Sequence, residues 1–156
     1  MRLGLMIEGQ DGVTWEEWVA LARACDETGV EALFRSDHYA GLSGVDQTAL
    51  DTWTTLAALA ACTEHVRLGS LVSPAAFRHP SVLARMVVTV DHVSGGRVEL
   101  GLGTGWHEEE HRRNGFPFHD ERTRFAVLAE QVEIVVRSWT EEGWSFDGAH
   151  HRLERQ

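Results

Sequence analysis

Lysine is absent from this chain of 156 residues, and all fourteen of its basic side chains are arginine. Such a bias reports codon usage rather than a site. Against the arginines stand 24 acidic residues, giving a formal charge of −10. A chain this acidic repels phosphate backbones and anionic lipid surfaces unless basic residues are concentrated locally, and no basic patch stands out along the sequence. Neither nucleic acid nor a membrane is therefore an expected partner. No apolar run approaches the ~20 residues a membrane span needs, and the residues after Met1 do not form a secretory signal, so a cytoplasmic location is expected. Cysteine is scarce as well. Cys25 and Cys62 each sit in an apolar helical pattern, which reads as two buried structural thiols rather than a disulfide or a metal pair. What the chain does have is apolar content, 43% of residues, enough for a sizeable core and against disorder.

That content is arranged in alternation. Leu3 to Ile7 is a short apolar run, and Trp15 to Thr28 follows with Trp15, Trp18, Val19, Ala22 and Cys25 at helical period. Thr14, with Glu17 three residues on, forms a capping box, and Gly29 supplies a left-handed C-terminal cap. The pattern then repeats: Val30 to Arg35 is strand-like, Asp51 or Thr52 to Thr63 helical, Val66 to Val72 strand-like and Pro80 to Val93 helical. Ser94-Gly95-Gly96-Arg97 is a tight turn into a fourth strand, Val98 to Leu102. After a polar loop, His119 to Trp139 reads as one long amphipathic helix with Phe125, Leu128, Val132 and Val135 on one face, and Gly143 to Leu153 as a small hairpin around Asp147-Gly148.

Strict alternation of strands and helices implies parallel strands joined by right-handed crossovers, an α/β fold. A complete small open sheet fits the pattern, and so does half of an eight-unit barrel, which takes about 250 residues in full. In either case ligands gather beyond the C-terminal strand ends. Ser36-Asp37-His38-Tyr39 follows strand two and sets a carboxylate and an imidazole there, a pair suited to proton transfer. Gly69-Ser70-Leu71-Val72-Ser73-Pro74 and Phe77-Arg78-His79-Pro80 belong to strand three and its loop, where small residues let a planar ligand approach backbone. Gly101-Leu102-Gly103-Thr104-Gly105-Trp106 ends strand four in a glycine-rich turn able to hold an anion or the edge of a heterocycle. It lacks the spacing and the place of a dinucleotide fingerprint.

Four segments in order carry a resemblance: Ser36-Asp37-His38, then Val72-Ser73-Pro74 with Arg78-His79-Pro80, then Ser94-Gly95-Gly96-Arg97, then Gly103-Thr104-Gly105-Trp106. Together they resemble the luciferase-like superfamily, whose members bind FMN or the deazaflavin coenzyme F420 in a (β/α)8 barrel. The later stretch Asn114 to Phe118, with Arg122, Phe125, Leu128, Glu130 and Ser138-Trp139-Thr140, is similar to the deazaflavin-using branch. The resemblance implies that residues 1–156 are the N-terminal half of a TIM barrel, four parallel β/α units, of an oxidoreductase acting on a small organic substrate. Coenzyme F420 is the implied cofactor and FMN, with monooxygenation, the alternative. Ser70, Leu71, Val72 and Ser73 would form the bulge under the ring, with a non-proline cis peptide at Ser70-Leu71 by position. Thr104, Gly105 and Trp106 would contact the cofactor, His38 would act as acid or base, and Asp37 could orient it. Trp106 stands where the sugar-phosphate dehydrogenases of this branch carry a catalytic glutamate, so that substrate is not expected.

Other readings stand beside this one. His107-Glu108-Glu109-Glu110-His111 fits the H-E-x-x-H zinc pattern of a hydrolase. It lacks an apolar face to anchor it, and its three glutamates suit a solvated first helical turn, so no metal is expected. The half barrel is expected to be inactive alone and to associate as a homo-oligomer or through its open sheet edges, and an inert or interaction-only module is the alternative reading. His65, His119, His150 and His151 read as ordinary surface or capping residues.

Overall fold

The computed structural model describes residues 1–41 and 49–155. They divide into two compact units, Met1–Ser73 with Val87–Gly101, and Pro74–Met86 with Leu102–Gln156. The expected alternation is present: β1 (Gly4–Ile7), α1 (Trp15–Thr28), β2 (Ala32–Arg35), α2 (Thr52–Ala61), β3 (Arg67–Pro74), α3 (Pro80–Ser94), β4 (Val98–Gly103), α4 (Glu108–Asn114), α5 (Glu121–Thr140), β5 (Phe146–Asp147) and β6 (Arg152–Leu153). The first four strands form one parallel sheet in the order β1-β2-β3-β4. Gly4 pairs with Ala32 and Ile7 with Arg35 between β1 and β2; Ala32 pairs with Arg67 and Arg35 with Ser70 between β2 and β3. Among the described residues no helix is long and apolar enough to cross a membrane.

The local signals explain the first unit. Thr14 and Glu17 close the capping box on α1, and Gly29 takes φ +74 at its end. Trp18, Ala22 and Cys25 turn one face of α1 into a core shared with Leu33, Trp53, Leu56, Leu59 and Leu68. Two charged side chains tie down the N-terminal rim of the sheet. The Asp26 carboxylate accepts the backbone N–H groups of Glu64, His65 and Val66 at 2.6 to 3.0 Å. The Arg97 guanidinium donates to the carbonyls of Ala60, Thr63, Val66 and Ser94 and to the Thr63 hydroxyl, at 2.7 to 3.0 Å. It thereby caps α2, whose final carbonyls would otherwise lack partners.

In the second unit α5 buries Gln131, Ile134 and Val135. The expected apolar face is thus rotated: Val135 is inside, but Phe125 and Val132 are exposed. Ile134 packs with Trp144 and Leu153 of the antiparallel β5–β6 hairpin, which forms where Asp147-Gly148 marks a turn. The expected polar loop before α5 contains a helix, α4, stopped by Gly115 at φ +72. Cys62 differs from expectation too. It is exposed, because α2 ends at Ala61 and leaves it at the C-cap, whereas Cys25 is buried as expected.

Candidate functional site

The C-terminal ends of β1 to β3 carry polar side chains that the first unit buries almost completely: Gln10, Arg35, Ser36, Asp37, Ser70 and Ser73. Buried polar groups persist only when hydrogen-bonded, and here the bonds form a web. The Ser36 hydroxyl donates to Gln10 Oε1 and accepts from the Gly9 N–H at 3.2 Å. The Ser36 carbonyl takes the Thr52 hydroxyl at 3.1 Å. Arg35 lies over the Trp18 ring, 4.9 Å from its centroid, and donates to the Leu50 carbonyl at 2.8 Å. Gly9 is required beside it, since a Cβ would stand 2.7 Å from Trp18 and 2.8 Å from the guanidinium.

Asp37 is 1% exposed. The Ser73 hydroxyl donates to its Oδ2 at 2.7 Å, and the Trp53 indole N–H donates to the same hydroxyl at 3.0 Å. This three-residue chain joins the first residue pair predicted for proton transfer to the strand expected to carry the cofactor. His38, half-buried, follows Asp37 directly. Gln10, Arg35 and Trp53 escaped sequence reasoning. Their only signal was polarity inside, or next to, apolar runs, and that signal does not distinguish a buried network from a surface.

The four residues Ser70 to Ser73, which begin at the last pairing with β2, divide by accessibility. Ser70 is buried and its hydroxyl donates to the Gly101 carbonyl at 3.1 Å, so it serves the sheet. Leu71 is 47% exposed, Val72 half-buried, and Ser73 buried on Asp37. The cis peptide is Leu71-Val72, one residue beyond the expected Ser70-Leu71. The reason is register: Ser70 is still paired with Arg35 of β2, and the chain departs from the ladder only at Leu71.

In the second unit Thr104, Gly105 and Trp106 leave β4. Gly105 takes φ +76, and a Cβ there would stand 3.0 Å from the His111 ring. Trp106 is exposed and stacks on the His107 ring, centroids 5.2 Å apart. The zinc-like pentad is built differently from its sequence reading. His107 stands before α4 with ψ 85. Glu110, expected in a solvated first turn, is buried, and so is His111. His111 packs beside Phe77 and Phe118, each with its centroid 5.0 Å away, and its Nδ1 lies 3.1 Å from the His107 carbonyl. The apolar anchor missing from the pentad itself comes from the phenylalanines around it.

A family profile described as luciferase-like monooxygenase matches residues 1–156. A protein named F420-dependent glucose-6-phosphate dehydrogenase, from Kineococcus radiotolerans, is 34% identical over 129 residues, which is 82% of this chain and 38% of that protein. The crystal structure of monooxygenase RslO1 from Streptomyces bottropensis superposes with a TM-score of 0.85 at 29% identity, covering 99% of this chain and 48% of the other. An F420-dependent secondary alcohol dehydrogenase, solved with an F420-acetone adduct, shares the fold with a TM-score of 0.88 at 18% identity, over 99% and 47% of the two chains. The chain spans about two fifths of the length of the curated relatives it matches.

Proposed function

The chain belongs to the luciferase-like monooxygenase family, and from that premise we propose that the protein is an oxidoreductase moving a hydride between a small organic substrate and coenzyme F420, with His38 as acid or base. The observation that carries this reading is the bonded chain from Trp53 through Ser73 to Asp37, which ends at the residue before His38. A carboxylate buried and gripped in this way fixes the backbone from which the imidazole extends, as proton transfer requires.

The residues at the strand ends fit a flat heterocycle. Leu71 offers an exposed apolar surface directly after the buried Ser70, a placement suited to packing against a ring face. When bound, the deazaflavin supplies the carbon that takes or gives the hydride. His38 then takes the substrate hydroxyl proton in the oxidative direction and returns it in the reductive one. Ser73 and Trp53 hold Asp37 still, and Leu71 and Val72 exclude water from the ring. Thr104, Gly105 and Trp106 stand as cofactor residues on the strength of their motif. The likeness to monooxygenase RslO1 favours a second reading, oxygen insertion, for which FMN is the alternative cofactor implied by the family resemblance. Association with further copies through β1 and β4, the outer strands of the sheet, completes the proposal.

Fluorescence titration with coenzyme F420 and with FMN tests the choice of cofactor, F420 being expected to bind more tightly. In the full-length protein His38→Ala should lower turnover by about 10²–10⁴-fold and leave cofactor affinity nearly unchanged, whereas residues 1–156 alone should turn over little or not at all. Unaltered turnover would remove His38 from the reaction.

A further inference from the structure

The second unit contains a cavity of about 310 Å³ whose wall carries Arg78, His79, His119, Arg124, His150 and His151. No acidic residue lines it, in a chain with 24 acidic residues and a charge of −10. We infer that this cavity is a binding site for a phosphoryl oxyanion, carried by inorganic phosphate or by a small phosphomonoester. Thr104, placed above with the cofactor, also lines this cavity, so the site adjoins the proposed cofactor site; phosphate titration and cofactor titration test the two readings separately.

The six side chains come from three separate segments, one before α3, one around the start of α5 and one before β6, so no single surface helix explains their convergence. His79 Nδ1 accepts the Ser81 N–H at 3.3 Å. Its neutral ring therefore carries its proton on Nε2, a donor. His151 Nδ1 donates to Glu130 at 3.1 Å. Arg124 lies over the Phe118 ring at 4.4 Å, and its Nε finds no acceptor among the described residues. Partial desolvation, followed by repulsion from His151, holds the His79 imidazole below its ordinary range; the two ring centroids are 5.7 Å apart. A bound anion would offset that repulsion.

Charge and size select the ligand. Two guanidiniums can balance more than one negative charge, which favours a dianion over a carboxylate, and arginine forks match phosphoryl oxygens. A phosphate fills only part of the volume, and Pro117 and Val127 line the remainder with apolar surface suited to an organic substituent. The neighbouring carboxylates are engaged elsewhere. Glu130 is held below its ordinary pKa: partial burial raises it, but the Ala149, His150 and His151 N–H groups and the His151 ring outweigh that. Asp120 is held low by its bonds to Thr123, and Glu121 sits in the first turn of α5.

Calorimetric titration of the 156-residue chain with inorganic phosphate and with glycerol 3-phosphate, glycerol serving as control, tests the site. One saturable site is expected for phosphate and for the ester, and none for glycerol. Arg124→Gln should bind roughly tenfold more weakly. The double variant His119→Asn with His150→Asn, at two exposed positions, should also bind less tightly, and it guards against an effect of misfolding, as does far-UV circular dichroism. The His79 ring should titrate at higher pH when phosphate is bound. Tighter binding of the ester points to an organic ligand, and equal affinity to free phosphate. Absence of saturable binding, or affinity unchanged in both variants, would overturn the inference.

Discussion

Replacing Glu130 by alanine should loosen the β5–β6 hairpin while leaving it attached to α5. The carboxylate accepts the backbone N–H groups of Ala149, His150 and His151 at 2.7 to 3.2 Å and faces His151 Nδ1 at 3.1 Å. Hydrogen bonds to a charged group contribute about 1.5–3 kcal/mol each when dry. These amides lie at the surface, where water replaces a lost acceptor, so the four together are worth about 2–3 kcal/mol toward closing the hairpin tip. Trp144 and Leu153 stay buried on Ile134 and keep the hairpin in place. Amide hydrogen exchange is the assay: protection at residues 149–151 should fall about 30- to 150-fold in Glu130→Ala, and less in Glu130→Gln, which keeps one acceptor oxygen. The pH dependence has a definite sign. A carboxyl whose folded pKa lies below its unfolded value stabilises above the unfolded value, and its contribution is lost as pH falls through the folded one. Wild-type protection at the tip should therefore hold at neutral pH and fade in acid, below the ordinary glutamate range, a fading absent from the alanine variant. Protection unchanged by Glu130→Ala would refute the reasoning.

Three further outcomes follow from the first unit. Gly101→Ala places a Cβ against the Ser70 carbonyl oxygen, and Gly29→Ala meets only open space at φ +74; thermal unfolding should show a loss of about 3 kcal/mol for the former and about 1 kcal/mol for the latter. Arg97→Lys retains the charge but cannot reach four carbonyls at once, so it should lose about 2–3 kcal/mol in urea unfolding, and a loss below one would refute the capping role. The Asp26 carboxyl is pushed up by partial burial and pulled down further by the Glu64, Val66 and His65 amides, for a net lowering. Asp26→Asn should therefore flatten the acid limb of the stability curve below about pH 4, measured by chemical unfolding across pH.

The strands and crossover helices are legible in the sequence because each buries a stripe of regular period between caps written in short-range residues. Thr14 with Glu17, Gly29 and Asp147-Gly148 each fix their local backbone without help from elsewhere. α4 is not legible, since its own residues are polar and the apolar surface that buries Glu110 and His111 comes from Phe77 and Phe118. The buried face of α5 is misjudged for a related reason. Gln131 goes inside because its amide donates to the Ala75 and Arg78 carbonyls, a demand of a distant loop that helical periodicity does not record. In the candidate site, the motif indicates Asp37 and His38. The Ser73 and Trp53 bonds that position Asp37 depend on packing between β3 and α2, which no local pattern encodes.

Asp26 and Arg97 also impose a division of labour on the first unit. Both fasten the rim where strands β3 and β4 begin, each by several bonds to main-chain atoms. Main-chain atoms are present whatever the side chains, so this rim tolerates sequence drift around it provided the two charged residues stay. The opposite rim adds bonds in which side chains meet side chains, as in Ser36 with Gln10 and Ser73 with Asp37. A loop exchanged there changes the chemistry without loosening the frame, and that makes the far ends of these strands the place to graft new specificity onto this scaffold.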